Sequence, residues 1–482
     1  MRRLLIGLLG LLHAQGYYLM RANQTFLGKS ALHEFPTCAV RSKGGDIVIG
    51  GYANETPLSS LSDGWLMRLT SDGKEAWSLT PGGMGPDRIE DVAIKDSVLY
   101  FCGYSGSALT HPEELPVERR ADFWVGAIDL MTGRLLWQHR WGSPYIDMAL
   151  TLCPTPYRTL LVGGLTWVDT LMGMQGVIHI LSEHTGEVAH TFLWGHSPSL
   201  IRRIRPTPEG RHFICIGEQD YRPFIAEVDY LGQVYWRTVF QFHRFPSQLQ
   251  ALLLSSDGRI IVGGRYGTQW GLSAFTSKGQ LIWERVWSSD QLTGSIHDLA
   301  EGAEGVIYAL GWQQGEVLIS SEQRGGQDVW LAALTKDGQL LWERGFGGPH
   351  DEKGVAVSST RDTLLVVASK ENRFTEAPFH ADAWLLLLRA VACEAIPIQI
   401  RADVPSLREK AGRPIRFWVE TPPGYLPARI QWDFGDGAVA EGSPVEHTYA
   451  VPGTYSVQVQ IEFKYGCREV YPPPIGLRIT RP

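Results

Sequence analysis

The chain has 482 residues and a formal net charge of −7 at pH 7, so it is longer than one ordinary domain. The negative charge and the absence of any block of Lys and Arg argue against a nucleic-acid surface. Seventeen Trp and 53 Gly are high counts, and aromatic strands separated by Gly turns are typical of an all-β fold.

Residues 1–14 have the pattern of a secretory signal peptide. Arg2 and Arg3 precede an apolar run from Leu4 to Leu12, and small residues follow, with cleavage expected near Ala14. The run is too short to remain as a membrane-spanning helix. A buried N-terminal strand is the alternative. We expect an exported protein that is secreted, at the cell surface or in the periplasm, and the Ala-Gln ending resembles signals of the Bacteroidota.

A Gly-x-x-x-Trp turn recurs along residues 15–392. Successive glycines lie 46 to 60 positions apart, which is the period of a β-propeller blade rather than of a helical solenoid. A sixth copy has His190 in place of Trp. We expect the Gly to form the turn and the aromatic residue to pack between neighbouring blades. The tryptophans are Trp77, Trp137, Trp236, Trp283 and Trp342.

Each copy has the same strand anatomy. One strand precedes the turn, as in DGWLMRL (63–69), and an earlier strand ends in Gly, as in DIVIGGY (46–52). The seventh unit has two such strands but no Gly-x-x-x-Trp strand. The segment 17–28 lies before the first full unit, where an outermost strand belongs. We therefore predict a seven-bladed propeller that its N-terminal strand closes, which removes exposed sheet edges.

One copy, AIDLMTGRLLW (127–137), also carries an Asp and a Thr before its Gly. It resembles the tryptophan docking motif of quinoprotein dehydrogenases, propeller enzymes that hold pyrroloquinoline quinone (PQQ). That resemblance implies adjacent cysteines and carboxylate ligands for calcium. The six cysteines are all separate, and no carboxylates have calcium-loop spacing. We expect no cofactor and no metal, and interpret the motif as mostly architectural.

Recurring acids have a structural interpretation as well. Asp63, Asp122, Asp328 and Asp382 begin strands of the repeat, and one loop groups His350 with two acids, Asp351 and Glu352. Side-chain oxygens at such positions hold loop amides. A ring of metal ligands is the alternative.

Long loops between the second and third strands are the candidate binding surface. They cover 105–121, 313–327 and 370–380, and long loops on a rigid scaffold are usual carriers of binding. Arg and Trp are enriched where proteins hold partners. Plain solvated loops are the alternative. The candidate residues are Arg119, Arg120, Trp312, Arg324, Arg373 and His380.

Residues 393–482 carry no blade repeat and have the length of an immunoglobulin-like sandwich. WDFGDG (432–437), HTY (447–449) and PGTYSVQV (452–459) resemble the signature of PKD domains, which are generally extracellular modules without catalysis. The resemblance implies that Trp432 and Tyr449 are core residues. Asp433 and Asp436 are expected to fix the turn around Gly435 and Gly437.

Cysteine usage fits export. Cys393 begins the second domain and Cys467 lies near its end, and the terminal strands of a sandwich can lie side by side. We predict a Cys393–Cys467 disulfide, with two free thiols as the alternative. The other four cysteines fall within propeller strands and are expected to be buried thiols.

These features predict an exported, non-catalytic binding or scaffold protein. The expected partner is an envelope or extracellular protein or a polysaccharide, and the surface is the propeller loop face together with the PKD module. Two alternatives remain: a secreted enzyme of the PQQ type or one acting on polysaccharide, and a subunit of an envelope or secretion assembly.

Overall fold

The structure is a computed structural model. It describes residues 17–27, 33–55, 61–83, 85–106, 121–167, 173–240, 247–287, 293–314, 326–347, 350–360, 363–371, 381–392, 396–421, 427–463 and 470–481. The predicted signal peptide lies outside these ranges.

Seven four-stranded sheets, the blades, occupy the described part of residues 17–392. Blade one contains β2 (His33–Arg41), β3 (Ile47–Asn54), β4 (Asp63–Leu69) and β5 (Glu75–Leu79). Blade two contains β6 (Asp87–Lys95), β7 (Val98–Ser105), β8 (Asp122–Asp129) and β9 (Leu135–Trp141). Blade three contains β10 (Asp147–Pro154), β11 (Thr159–Trp167), β12 (Met174–Ser182) and β13 (Val188–Trp194).

Blades four to seven repeat this order. Blade four contains β14 (Ser199–Pro206), β15 (His212–Gln219), β16 (Arg222–Asp229) and β17 (Val234–Val239). Blade five contains β18 (Ser247–Leu254), β19 (Ile260–Tyr266), β20 (Gln269–Phe275) and β21 (Leu281–Trp287). Blade six contains β22 (Thr293–Glu301), β23 (Ile307–Gln314), β24 (Gln327–Leu334) and β25 (Leu340–Phe346), with a short 3-10 helix (Ala303–Gly305) before β23. Blade seven contains β26 (Asp351–Ser359), β27 (Thr363–Glu371), β28 (Ala381–Ala392) and β1 (Tyr17–Leu27).

Blade seven joins distant parts of the sequence. Its strand order is β1-β28-β27-β26, so the N-terminal strand is the outermost one, which confirms the predicted closure. Each innermost strand contacts the innermost strand of the next blade, and β2 contacts β26. The ring is therefore closed by contact between the innermost strands of its first and last blades.

The propeller core lies between blades rather than within them. Val48 and Leu66 of blade one form one hydrophobic cluster with Phe101 and Trp124 of blade two. Equivalent clusters join blades two and three, three and four, four and five, and five and six. Because both faces of these sheets are buried, their strands are apolar on both faces.

The C-terminal domain consists of two sheets over one core. Strands β29 (Gln399–Ala402), β31 (Pro414–Glu420) and β34 (Val445–Thr448) form the first sheet in that order. The second has the order β30 (Arg408–Lys410), β36 (Ile475–Thr480), β35 (Gly453–Phe463), β32 (Pro427–Asp433) and β33 (Val439–Glu441). A 3-10 helix (Pro405–Leu407) precedes β30. The predicted boundary at 392/393 falls between β28 and β29.

The motif residues of this domain have the expected roles. Trp432 and Tyr449 are each 1 % exposed, and the Tyr449 hydroxyl donates to the Phe434 carbonyl at 3.0 Å. Asp433 Oδ1 accepts the Gly435 amide at 2.8 Å, and Asp436 Oδ1 accepts the Ala438 amide at 3.1 Å. Gly435 and Gly437 have φ of 79° and 92°, a region that favours glycine. The prediction of a carboxylate-fixed turn is confirmed.

Candidate functional site: the propeller channel

Of the six sequence-predicted binding residues, one lies within the described part of the chain. Arg119, Arg120, Arg324, Arg373 and His380 lie outside the described residues, as do Cys393 and Cys467. Trp312 lies on β23, where it pairs with Ser295 and Val329 and is half-buried. The loop-face site and the disulfide stay predictions.

The repeat tryptophans pack across the blade interfaces. A Cβ on Gly133 of blade two would lie 3.1 Å from Cγ of Trp77 in blade one, and Trp77 Nε1 donates to Leu130 O at 3.0 Å. In the copy with His190, which is exposed, Phe192 takes the contact with the next turn glycine, Gly232. The same arrangement joins Trp137 to Gly186, Trp236 to Gly279 and Trp283 to Gly338.

Acids at the start of innermost strands accept hydrogen bonds from backbone amides of the preceding loop or of a neighbouring strand. Asp87 Oδ2 accepts the Gly83 amide at 2.6 Å, and Asp147 Oδ2 accepts the Ser143 amide at 2.5 Å. Asp351 Oδ1 accepts the Gln327 amide at 2.9 Å. Of the strand-leading acids, Asp122 is buried, and its Oδ1 would lie 2.4 Å from a Cβ on Gly142. Within the described residues, no three His, Cys, Asp or Glu side chains group as metal ligands.

A cavity of about 400 Å³ lies at the centre of the ring, within the size range of ligand pockets. All seven innermost strands contribute to its wall, so we call it the channel. In six blades the innermost strand has a β-bulge at the same place, where one extra residue interrupts the pairing with the second strand. A bulge re-aims side chains, and here each bulged residue lines the channel. These residues are Thr37, Glu90, Leu150, Arg202, Gln250 and His297.

The bulge also explains the glycine that recurs in each second strand. A Cβ on Gly103 would lie 1.9 Å from the carbonyl oxygen of Arg88, two residues before the bulged Glu90. Because two unbonded atoms cannot come that close, only glycine is accommodated at this position without a backbone shift. Five other blades repeat the contact, with distances of 1.8 to 2.0 Å, at Gly51, Gly164, Gly217, Gly264 and Gly311.

The channel wall is rich in charge. Arg88 Nε lies 2.8 Å from Glu90 Oε1, and the Arg88 guanidinium also covers the Tyr52 ring at 4.9 Å from its centroid. Lys353 Nζ lies 3.9 Å from Glu371 Oε1. Arg202 Nη2 lies 3.4 Å from Glu218 Oε1. Three of the four cations that line the channel therefore have a carboxylate partner within 4 Å.

Arg203 is the exception. Its Nη1 donates to two carbonyl oxygens, those of Leu150 at 3.0 Å and Arg202 at 3.2 Å. No carboxylate of the described residues forms an ion pair with it. Arg203 is therefore the one cation of the described channel wall without a carboxylate within 4 Å.

Burial shifts the pKa values of two neighbouring titratable groups at the channel, His297 and Asp298, in opposite directions. Burial lowers the pKa of His297 to about 4, so its ring is neutral near pH 7. Its Nδ1 lies 3.2 Å from the Gly354 carbonyl, which makes that nitrogen the protonated one and leaves Nε2 as an acceptor. Burial raises the pKa of Asp298 to about 6, against the lowering effect of the Val357 amide at 2.8 Å.

Sequence reasoning missed the channel residues, although a signal was present. The bulged residue lies 13 to 15 positions before the repeated second-strand glycine in every blade where the bulge is seen. This position changes chemistry from blade to blade while the flanking pattern repeats. Variable positions inside a repeat were the signal that could have located the wall.

Comparisons with known proteins support the two-part architecture. Residues 404–470 match the family model of the PKD domain. No curated protein matches the chain. None of the helices among the described residues has the length and apolar character needed to cross a membrane.

Solved structures similar to the chain have low identity. The β-propeller domain of Cps50 (Swd1) from Myceliophteria thermophila is 12% identical, with a TM-score of 0.47, and the match covers 75% of this chain and 99% of that one. The extracellular domain of BT4673 from B. thetaiotaomicron, named as a one-component system, is 12% identical with a TM-score of 0.45, and the match covers 96% of this chain and 59% of that one. A chain of the mitotic checkpoint complex is 10% identical with a TM-score of 0.47, and the match covers 77% and 91% of the two chains.

The seven blades and the family match together define the chain: it is a seven-bladed β-propeller followed by a PKD domain.

Proposed function

We propose that this protein is an extracytoplasmic, non-catalytic binding protein whose propeller holds its ligand in the channel. The observation that carries the proposal is the channel wall itself. The cavity of about 400 Å³ is lined by the positions at which the blade repeat varies, whereas the repeated residues serve the scaffold. A rigid ring with a variable wall is suited to recognition.

The PKD domain supports the location outside the cytoplasm, because such domains are generally extracellular modules. Its role in the proposal is that of a spacer or a second contact with an envelope or extracellular partner. The loop-face residues predicted from the sequence, including Arg119 and Arg120, would extend the same binding surface beyond the channel.

One observation favours a rival function, the hydrolysis of a polysaccharide. Two carboxylates, Glu90 and Glu371, line the channel, and burial raises the pKa of Glu371 although Lys353 lowers it. Glycoside hydrolysis uses one carboxylic acid of raised pKa and one ionised carboxylate. Both carboxylates here are engaged by cations, Arg88 and Lys353, which is why we place binding first.

The test is a pull-down of the mature protein from its own envelope fraction and culture medium, followed by mass spectrometry and glycan analysis. Gln250→Trp places a bulky ring in the channel, since Gln250 is a bulged wall residue. Gln280→Trp is the matched control, because Gln280 lies exposed at a turn of the same blade. We expect one ligand to be captured by the wild type and by Gln280→Trp but lost by Gln250→Trp.

The rival function predicts a different result. Incubation with polysaccharides would release new reducing ends, and Glu371→Gln would abolish that release while leaving folding intact. Capture of the ligand without any chemical change supports binding, and turnover that depends on Glu371 overturns it.

A further inference from the structure

The channel combines one unneutralised cation with many neutral polar groups. Arg88, Arg202 and Lys353 are each within 4 Å of a carboxylate, as described above. Arg203 uses only Nη1, whereas a guanidinium has five N–H donors on three nitrogens. No hydrogen bond from its Nε or Nη2 reaches another residue of the described part of the chain.

The two carbonyl bonds hold the Arg203 side chain in place. A fixed guanidinium loses little freedom when it binds, and its planar fork matches a carboxylate through two parallel hydrogen bonds. A half-buried guanidinium without an ion pair also bears a desolvation cost, which its two carbonyl bonds and the charge of Asp298 offset only in part. An anion in the channel would relieve that cost.

The positive field of the channel is seen at a second group. Burial first, and then the charges of Arg203, Lys353 and Arg202, lower the pKa of His297, whereas its bond to Gly354 raises it. His297 is on blade six and Arg203 is on blade four. The field of Arg203 therefore extends across the ring, where a bound anion would experience it.

The rest of the wall indicates what carries the anion. Gln250, Ser369 and neutral His297 offer donors and acceptors for hydroxyl groups, and the Thr37 hydroxyl, which donates to the Ile89 carbonyl, remains an acceptor. Phe35 and Tyr52 stack at 4.7 Å between ring centroids and add an apolar side to the same wall. Hydroxyl partners, a nearby apolar face and one free guanidinium together fit a sugar that bears a single carboxylate.

A phosphate group fits less well. It carries about −1.5 to −2 charges near neutral pH, and the wall also contains Glu90 and Glu371. A second negative charge would have no free cation and would lie in the same cavity as two carboxylates. A monoanionic carboxylate matches the single cation of the described wall that has no carboxylate within 4 Å.

We propose that the channel binds the carboxylate of an acidic sugar, a uronic acid unit, with Arg203 as the carboxylate-binding residue. This inference rests on the proposed function as a binding protein and specifies the class of its ligand. The sugar unit would come either as a free monosaccharide or as the end of an acidic polysaccharide.

Isothermal titration calorimetry of the full chain with galacturonic acid and with galactose tests the proposal directly. The two sugars share a ring and differ in the carboxylate. We expect galacturonate to bind at least roughly 10-fold more tightly, since a hydrogen bond to a charged group contributes about 1.5–3 kcal/mol. Added salt should weaken the binding of galacturonate but leave the binding of galactose unchanged. A tri-galacturonide arm distinguishes the sources: tighter binding than the monomer identifies a polysaccharide end, and equal binding identifies the free sugar.

Variants separate the role of Arg203 from folding. Arg203→Met should lower galacturonate affinity roughly 10- to 100-fold, and Arg203→Lys should retain part of it. Arg205→Met is the matched control, because Arg205 lies on the same strand and donates to the Ile204 carbonyl at 2.8 Å but does not line the channel. It should change affinity less than about twofold. Thermal unfolding of each variant verifies its fold.

Three outcomes would overturn the inference: equal affinity for galacturonate and galactose, no binding of either sugar, or unchanged galacturonate binding in a folded Arg203→Met. If Arg203→Met does not fold, the inference is decided by comparing the affinities of the wild-type protein for galacturonate and for galactose. The proposed function fails separately, by turnover of a captured polysaccharide. Capture of a ligand that contains no acidic sugar keeps the proposed function and rejects the uronate.

Discussion

The channel wall and the perimeter of the propeller are built from the same repeat but are used differently. At the perimeter, Trp77 and its equivalents recur and pack on the turn glycine of the next blade. At the channel, the bulged position holds Thr, Glu, Leu, Arg, Gln or His. Repeated residues therefore fix the geometry of the ring, and the positions that escape the repeat carry the chemistry. In a repeat protein, a departure from the pattern is more informative about function than the pattern.

The largest expected effect tests the geometry of the wall. Gly103→Ala places a Cβ 1.9 Å from the Arg88 carbonyl, so the backbone of β6 or β7 must shift. We expect the free energy of unfolding to fall by about 3 kcal/mol or more. Urea denaturation followed by Trp fluorescence measures it. Gly44→Ala is the control, since its nearest contact is an ordinary 3.6 Å, and it should change stability by less than about 0.5 kcal/mol. Equal stability of the two variants would mean that the second-strand glycine is not needed by the bulge.

The next effect is the pH dependence of stability that arises from two adjacent titratable residues at the wall, His297 and Asp298. Asp298 has a pKa raised by burial to about 6, so its contribution to stability is present at low pH and is lost as the pH rises through about 6. His297 has a pKa lowered by burial to about 4, so its contribution is present above its ordinary value of 6.5 and is lost as the pH falls through about 4. The two dependences oppose each other between about pH 4 and 6.

Single substitutions should expose each dependence. From pH 6.5 to 4, Asp298→Asn should lose roughly 3 kcal/mol more stability than the wild type, because only the His297 dependence remains. His297→Gln should instead gain stability relative to the wild type over the same range. Urea denaturation at three pH values measures both. Curves parallel to that of the wild type would show that neither residue titrates in this range.

At the perimeter the expected effect is smaller. Trp77→Ala removes an interblade contact and the hydrogen bond to Leu130 O, and we expect a loss of about 2 kcal/mol because Trp77 is half-buried. His190→Ala, at the same repeat position but exposed, should cost less than about 0.5 kcal/mol. Thermal melts compare the two. A large loss in His190→Ala would contradict the assignment of its packing role to Phe192.

The last prediction concerns the number of free cysteine thiols rather than stability. Cys38, Cys102, Cys153 and Cys215 are free in the structure; the first two and Cys215 are buried, and Cys153 is half-buried. Burial raises their pKa values, to about 11 for Cys153, so reaction of the native protein should be slow. After denaturation without reductant, we expect four labelled thiols by mass spectrometry, and all six after reduction. Six labelled thiols without reductant would reject the Cys393–Cys467 disulfide.

Much of the architecture was accessible from the sequence because it repeats. Seven blades were predicted from the turn glycines and the apolar strands, and closure of the ring was predicted from the extra N-terminal strand at 17–28. WDFGDG predicted the PKD turn, since Asp433 and Asp436 act within a few residues of themselves. The binding site was not accessible in the same way, and sequence reasoning directed attention to Arg and His in the long loops instead.

The sequence by itself determined the period, the number of blades and the identity of the second domain, because each depends on local spacing. Only the tertiary structure decided which side chains face one cavity. Arg203 and His297 are 94 positions apart and lie on blades four and six, and ring closure brings both to the channel wall. The bulge also adds a residue to the inward-facing set of an innermost strand, so that Arg202 and Arg203 both line the channel, and the strand pairing that creates it is non-local.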